Sequence, residues 1–174
     1  MNRSIKKLDF MILEFIQDTM RSKRMDRLMS LITELGDKGI LWLSEAAVLM
    51  MIKKYRRSAA AILTGLVSGL IAGNLAIKNL VRRSRPCWTD PISDMLVSIP
   101  KDYSFPSCHT MSSFMAARVM MHYDKRIGIP SGIIASLIAF SRMYLYVHFP
   151  SDILGGAMLG NILGKTAIKL TKKR

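Results

Sequence analysis

Apolar runs alternate with short clusters of basic residues along this chain, and this alternation constrains its fold more than any other feature. Half of the 174 residues are hydrophobic, yet the formal charge is +14. The positive charges are concentrated at 53–57, 82–85 and 172–174, with apolar stretches between them. This layout is typical of a polytopic membrane protein with basic loops. A nucleic-acid-binding domain would carry a basic stripe on a recognisable motif. The sequence has no such motif, so nucleic acid is not an expected partner.

The apolar runs predict an all-α fold, a polytopic membrane helix bundle with about five spanning helices. Each run is near the ~20 residues that one crossing needs. The runs are 38–52, 58–81, 107–123, 128–147 and 151–170. In two of them small residues recur at a spacing that favours close helix packing in lipid. These residues are Ala61, Gly65, Gly69 and Gly73 in the second run and Gly155, Gly156 and Gly160 in the last.

Residues 1–36 predict two amphipathic helices ahead of the spanning segments. In residues 5–20 apolar side chains recur at helical spacing with charges between them, and residues 25–35 form a second such stretch, closed by Gly36. The first helix is expected either to lie in the membrane interface or to pack on the bundle. The N-terminus lacks the pattern of a cleavable signal peptide.

Three clusters of polar residues fall on one side of the predicted membrane. The first is Lys78 with Arg85-Pro86 after six residues, the second is Pro106-Ser107-Cys108-His109, and the third is Ser141-Arg142 with His148 and Asp152. Arginine and lysine suit phosphate oxygens. A histidine and a carboxylate four residues apart can meet on one face of a helix turn. The carboxylate then fixes the imidazole tautomer and leaves the other nitrogen free to attack.

Each of these residues also has a purely structural explanation. Lys78 could be a lysine that snorkels to the membrane surface. The arginines at 82, 83 and 85 could form a headgroup belt, a row of basic residues that contact lipid headgroups. Ser107 and Asp152 could be helix N-caps. The convergence of all of them on one side is what favours a phosphate site.

The three clusters resemble the tripartite signature of the type 2 phosphatidic acid phosphatase family, which shares a fold and phosphate site with vanadium haloperoxidases. The family pattern is a lysine, six residues and Arg-Pro; then Pro-Ser-Gly-His; then Ser-Arg, five residues, His, three residues and Asp. The chain matches every spacing over residues 78–152. Three separated motifs in the right order are more specific than one short pattern.

The resemblance implies a catalytic set and a phosphate-binding set. In the catalytic set His148 is the nucleophile, Asp152 orients it, and His109 protonates the leaving oxygen and then activates water. The phosphate-binding set is Lys78, Arg85, Ser107, Cys108 and Arg142. No metal or other cofactor is expected, because the cations are side chains. His122 lies ~20 Å along the helix from His109, so it is assigned to the opposite surface.

The implied function is metal-independent hydrolysis of a lipid phosphate or diphosphate monoester through a phosphohistidine. Undecaprenyl diphosphate and phosphatidylglycerophosphate are the expected substrate types, and membrane lipids the expected surroundings. Three alternatives stay open: a lipid A phosphatase, a non-catalytic membrane protein that binds lipid headgroups, and a haloperoxidase that uses the same pocket. The sequence does not predict an oligomeric state.

Cys108 is the one departure from the family pattern, because it stands where the family usually has glycine. Cysteine keeps the backbone N–H that would bind phosphate, but it lacks the conformational freedom of glycine. Two further interpretations stay open: a redox-active thiol, and a disulfide with Cys87.

A single domain, residues 1–174, is expected from the length. Its one long polar stretch, 82–105, is expected to be a loop on the substrate side.

Five crossings place this loop and His148 on one side of the membrane and the bases at 53–57 and 124–126 on the other. Without the bases in or beside the phosphate site, the second side carries slightly more Lys and Arg, so it is expected to be cytoplasmic. The site is then expected on the external face of a bacterial cytoplasmic membrane.

Overall fold

Helices make up nearly all the regular structure in the computed structural model, which describes residues 3–172, and no strand occurs in that part of the chain. The N-terminal pair is α1 (Arg3–Met20) and α2 (Lys23–Leu35). The helices that follow are α3 (Ile40–Met51), α4 (Arg56–Gly69), α5 (Lys78–Val81), α6 (Pro86–Thr89), α7 (Cys108–Tyr123), α8 (Lys125–Tyr144) and α9 (Pro150–Thr171). A π-helical stretch, Leu70–Ile77, joins α4 to α5 without a break. The predicted all-α class is confirmed.

Within residues 3–172 two helical stretches are long and apolar enough to cross a bilayer, Lys53–Thr89 and Lys125–Tyr144. By contrast, α3 and α7 have 12 and 16 residues, fewer than the ~20 of a straight crossing. The predicted number of five crossings therefore stays a prediction.

The fourth predicted run, 128–147, ends earlier as a helix than the sequence suggested. α8 stops at Tyr144, and Tyr146 adopts a left-handed backbone conformation with φ +58°. Pro150 then starts α9 and disfavours helical backbone at Phe149. His148 consequently lies in the loop between α8 and α9, as the bounds of the fourth and fifth runs predict, and it does not share a helix turn with Asp152.

Glycines let α9 and the α4–π segment approach α7 closely. A Cβ at Gly156 would come within 2.6 Å of the Ser107 carbonyl oxygen, and one at Gly73 within 2.7 Å of the Met111 side chain. Gly155, by contrast, lies against the ring of Phe105. The close packing predicted for these small residues is found, and it fixes the beginning of α7 between the other two motif-bearing segments.

The first helix packs on the bundle with one face and leaves other apolar side chains exposed. Leu13 and Ile16 are buried in a cluster that also contains Val147 of the loop before α9. Leu8 and Phe15 are 56% and 62% exposed. α1 thus packs on the bundle with one face, and a location of its exposed face in the membrane interface stays a prediction.

Candidate active site

Arg85 joins the first motif to the third. Its Nη1 donates to the carbonyl oxygen of Val147 at 2.8 Å and lies 3.1 Å from Nε2 of His148. A guanidinium can only donate hydrogen bonds, so Nε2 is the acceptor and the ring proton lies on Nδ1. The nitrogen that carries the lone pair therefore faces the guanidinium of Arg85.

His148 is 1% exposed, and its other nitrogen faces polar groups. Nδ1 lies 3.6 Å from Oδ2 of Asp152 and 3.4 Å from Oγ of Ser104. The distance between Nδ1 and Asp152 is too long for a hydrogen bond, so Asp152 acts on the ring by its charge. It also acts through Ser104, whose hydroxyl donates to Asp152 Oδ2 at 2.5 Å. Burial, and then the positive charges of Arg85, Arg142 and Lys78, hold the pKa of His148 well below its ordinary value. The imidazole is therefore neutral at pH 7.

Arg83 and Asp9 belong to this site although the sequence interpretation did not include them. The Arg83 side chain is buried. Its Nη1 bonds to Oδ1 of Asp152 and donates to Ser151 Oγ at 2.7 Å. Its Nη2 donates to Asp9 Oδ2 at 2.6 Å. The headgroup-belt explanation is wrong for this arginine. A signal did exist in the sequence: Asp9 shares a helix face with Leu13, four residues on.

Lys78 and Arg85 form ion pairs with Asp102, a second residue that the motifs do not include. Arg85 Nη2 donates to Asp102 Oδ1 at 2.7 Å, and Lys78 Nζ bonds to Oδ2. Partial burial by itself would raise the pKa of Asp102, but the two cations outweigh it and lower this pKa to about 2. A half-exposed carboxylate thus occupies two of the cations that a phosphate would need.

Arg142 is a buried cation without a carboxylate partner among residues 3–172. Its Nη1 donates to Thr33 Oγ1 at 2.5 Å, and its Nε has no hydrogen-bond partner. Its carbonyl oxygen accepts from the backbone N–H groups of Val147 and His148, both at 3.2 Å. The arginine therefore orders the His148 loop with its backbone and offers an unpaired donor.

Ser107 ties the second motif to the third and caps α7. Its N–H donates to the carbonyl oxygen of Asp152 at 3.2 Å, and its Oγ accepts from Thr110 Oγ1 at 3.0 Å. Cys108 donates its S–H to Asn74 Oδ1 at 2.9 Å. Both cysteines are free thiols, so the disulfide alternative with Cys87 is wrong.

His109 stands apart from the densely bonded groups. Its side chain is 19% exposed, and Nε2 lies 3.6 Å from Oδ1 of Asp37. It lines a cavity of about 520 Å³ between α3, the α4–π segment and α7. The cavity walls are mostly apolar, with Leu43, Leu66, Leu70, Met111, Met115 and Leu163 among them. His122, at the far end of α7, is exposed.

The described part of the chain contains no group of three or more His, Cys, Asp or Glu side chains that could hold a metal ion. All eight predicted site residues lie at the end of the bundle where α5, α7 and the α8–α9 loop meet.

Comparison with known proteins identifies the family. A model of the PAP2 superfamily matches residues 58–174. The chain belongs to this superfamily. The resemblance to type 2 phosphatidic acid phosphatases is thereby confirmed.

PAP2 relatives with assigned activities act on different lipids. The chain is 35% identical over 136 residues to the decaprenylphosphoryl-5-phosphoribose phosphatase of Mycobacterium tuberculosis. The alignment covers 76% of this chain and 73% of that protein. It is 27% identical over 131 residues to an undecaprenyl-diphosphatase of Sulfolobus acidocaldarius, covering 75% of this chain and 63% of the relative.

The fold also matches a solved structure. The transmembrane PAP2-type phosphatidylglycerolphosphate phosphatase of Bacillus subtilis superposes with a TM-score of 0.80 at 25% identity. The match covers 99% of this chain and 90% of that one. The all-helical architecture is therefore that of a transmembrane PAP2 phosphatase.

Proposed function

We propose that this protein is an integral membrane phosphatase that hydrolyses a lipid phosphate or diphosphate monoester through a phosphohistidine on His148, without a metal ion. The observation that carries the proposal is the position of the buried His148 ring, whose Nε2 lies 3.1 Å from Nη1 of Arg85. A neutral nucleophile among fixed cations is what attack on an anionic phosphate requires.

The phosphoryl group would bind where the cations converge. Its oxygens would take the place of the Asp102 carboxylate on Lys78 and Arg85 and would engage the unpaired Nε of Arg142. Ser107 adds its hydroxyl, and Cys108 adds its backbone N–H at the beginning of α7. These groups are held before substrate arrives, so they stabilise the transition-state charge with little reorganisation.

The chemistry follows in two balanced steps. In the first, Nε2 of His148 attacks phosphorus, the bond from phosphorus to the leaving oxygen breaks, and His109 gives that oxygen a proton. In the second, His109 takes a proton from water, the resulting hydroxide attacks phosphorus, the P–N bond breaks, and inorganic phosphate leaves. The negative charge of Asp152 stabilises the positive charge that develops on the imidazole.

The surroundings of His109 support a lipid as the leaving group. The apolar cavity beside this histidine suits a hydrocarbon chain. Undecaprenyl diphosphate and phosphatidylglycerophosphate are the substrate types we propose, in line with the assigned activities of the relatives.

Phosphate release by purified protein in detergent with EDTA tests this function. The substrates are undecaprenyl diphosphate, phosphatidylglycerophosphate and phosphatidic acid, with His148→Ala beside the wild type and His122→Ala as the matched histidine control. We expect release that persists in EDTA, is lost in His148→Ala and is unchanged in His122→Ala. Release that survives His148→Ala, or that EDTA abolishes, contradicts the mechanism. A protein that binds these lipids and releases no phosphate is a headgroup binder.

We propose further that the site lies on the external face of the cytoplasmic membrane. Single cysteines at Asp94 and Lys172, in a Cys87→Ser/Cys108→Ser background, are labelled in intact cells with an impermeant thiol reagent. Labelling at Asp94 alone is expected, and labelling at Lys172 alone would reverse the orientation.

A further inference from the structure

The N-terminal helix places a buried carboxylate next to the candidate site. Asp9 is 2% exposed, whereas Glu14 and Asp18 of the same helix are exposed. Its Oδ1 accepts from the backbone N–H of Ser151 at 2.9 Å, and its Oδ2 accepts from Ser151 Oγ and from Arg83 Nη2, both at 2.6 Å. A buried carboxylate is costly unless it is paired and hydrogen-bonded, and here both oxygens are.

Arg83 connects this carboxylate to the one behind the nucleophile. One end of its guanidinium holds Asp9 and the other holds Asp152. Two carboxylates and one guanidinium leave this buried cluster with one net negative charge. Without Asp9, the pair of Arg83 and Asp152 would be neutral, and less negative charge would face His148.

The same helix also braces the loop that carries His148. The ring of Phe10 packs edge-on against Phe149 at 5.1 Å between centroids, and the Arg83 guanidinium lies 4.2 Å above the Phe149 ring. Gln17 donates to the carbonyl oxygen of Tyr144 at 2.8 Å, where α8 ends. The loop from α8 to α9 is therefore held from outside by α1.

We propose that Asp9 is a positioning residue for the nucleophile: through Arg83 it keeps Asp152 oriented and keeps the buried cluster behind His148 at a net negative charge. This inference rests on the proposed phosphohistidine mechanism. The imidazole gains positive charge as Nε2 bonds to phosphorus, so the charge on Asp9 acts mainly on the transition state. Asp9 touches neither the phosphate-binding cations nor the cavity, so it leaves substrate binding alone.

The experiment compares Asp9→Asn with Asp18→Asn, an exposed carboxylate of the same helix. Steady-state kinetics are measured in detergent with dioctanoyl phosphatidic acid, whose short chains do not require docking of α1 on a bilayer. For Asp9→Asn we expect kcat to fall about tenfold, equal to ~1.4 kcal/mol, with KM within about twofold of the wild type. Asp18→Asn should match the wild type, and Asp9→Glu should recover most of kcat.

Two further variants test whether Asp9 acts through Arg83 and provide a measurement if Asp9→Asn does not fold. Arg83→Lys keeps the charge but cannot reach both carboxylates, so its kcat should fall at least as far, and adding Asp9→Asn should lower it no further. Ser151→Ala removes the hydrogen bonds that this hydroxyl makes to Asp9 and Arg83 and changes no charge, so a kcat loss of about threefold is expected. It serves as the test if Asp9→Asn does not fold.

Several outcomes overturn the inference. They are a kcat of Asp9→Asn equal to that of Asp18→Asn, a loss found only in KM, fully additive losses with Arg83→Lys, and an unchanged kcat in Ser151→Ala. A wild-type protein that releases no phosphate from any of the lipids instead defeats the proposed function itself.

Discussion

The two histidines of the candidate site have opposite surroundings. His148 is 1% exposed, and both of its ring nitrogens face polar groups within 3.6 Å. The His109 side chain is 19% exposed, borders an apolar cavity and has Asp37 as a partner at 3.6 Å. A nucleophile gains from being fixed before the reaction. An acid has to meet a leaving group that differs from lipid to lipid, so a looser and more open position suits it.

The largest effect should separate the two histidines by the step that each one serves. With para-nitrophenyl phosphate the leaving group needs no proton, so His109→Ala should retain an initial burst of nitrophenolate, although its lipid turnover falls about a hundredfold. His148→Ala should show no burst and lose about a thousandfold or more in turnover. Rapid-mixing absorbance measures the burst. A burst in His148→Ala, or its absence in both variants, would contradict the assignment of the two roles.

A smaller but still large effect is expected at Arg85, which contacts His148, the proposed nucleophile, directly. Arg85→Lys keeps the charge but loses the fork that reaches His148, Val147 and Asp102 together. We expect kcat/KM for phosphatidic acid to fall about a hundredfold, as when one fixed donor to the transition state is removed. Arg82→Lys, at an exposed arginine three residues earlier, is the matched control and should change little. Equal effects would place Arg85 outside the site.

Asp102 should affect binding more than turnover. Its carboxylate occupies Lys78 and Arg85 in the free protein, so Asp102→Asn should lower KM about threefold by removing a competitor for the phosphate. Its folded-state pKa of about 2 lies below the ordinary value of 3.8. The ion pairs therefore stabilise the protein fully above about pH 4 and lose this contribution as the pH falls through 2.

The measurement is KM for both proteins between pH 5 and pH 8. Because Asp102 stays ionised over this range, the ratio of the two KM values should be constant. A KM that rises in Asp102→Asn would mean that the carboxylate helps to hold the cations for substrate.

The smallest effect is expected at Cys108, which borders the His109 side of the site. Cys108→Gly keeps the backbone N–H, so kcat should stay within about twofold. The variant loses the S–H bond to Asn74 and gains chain flexibility, which should cost about 1 kcal/mol. A thermal midpoint lower by about 2–4 °C would report this loss. A large fall in kcat would show that the side chain itself takes part in the site.

The sequence predicted the helices well because they depend on local patterns. Apolar periodicity placed the helical segments within a few residues, and motif spacing selected side chains that do lie at one end of the bundle. It failed at the end of α8, which stops at Tyr144 and does not continue to residue 147, because Tyr146 is left-handed and Pro150 follows.

The sequence analysis also did not identify the residues that form ion pairs with the motif side chains. Arg83 resembles its exposed neighbour Arg82 in every local respect, and Asp102 lies in a polar loop where a carboxylate is ordinary. Their roles depend on which side chain lies across from them, and local periodicity contains no such information.

Hydropathy and motif spacing are properties of neighbouring residues, so the amino-acid sequence is enough to predict an all-helical PAP2 chain with a phosphate-suited set of side chains. Which charges meet depends on the three-dimensional fold: Asp9 pairs with Arg83, Arg83 with Asp152, and Asp102 with Lys78 and Arg85. Those pairs join residues from 17 to 74 positions apart in the chain. Burial makes each of them matter, because a charge removed from water has to find its partner within the protein.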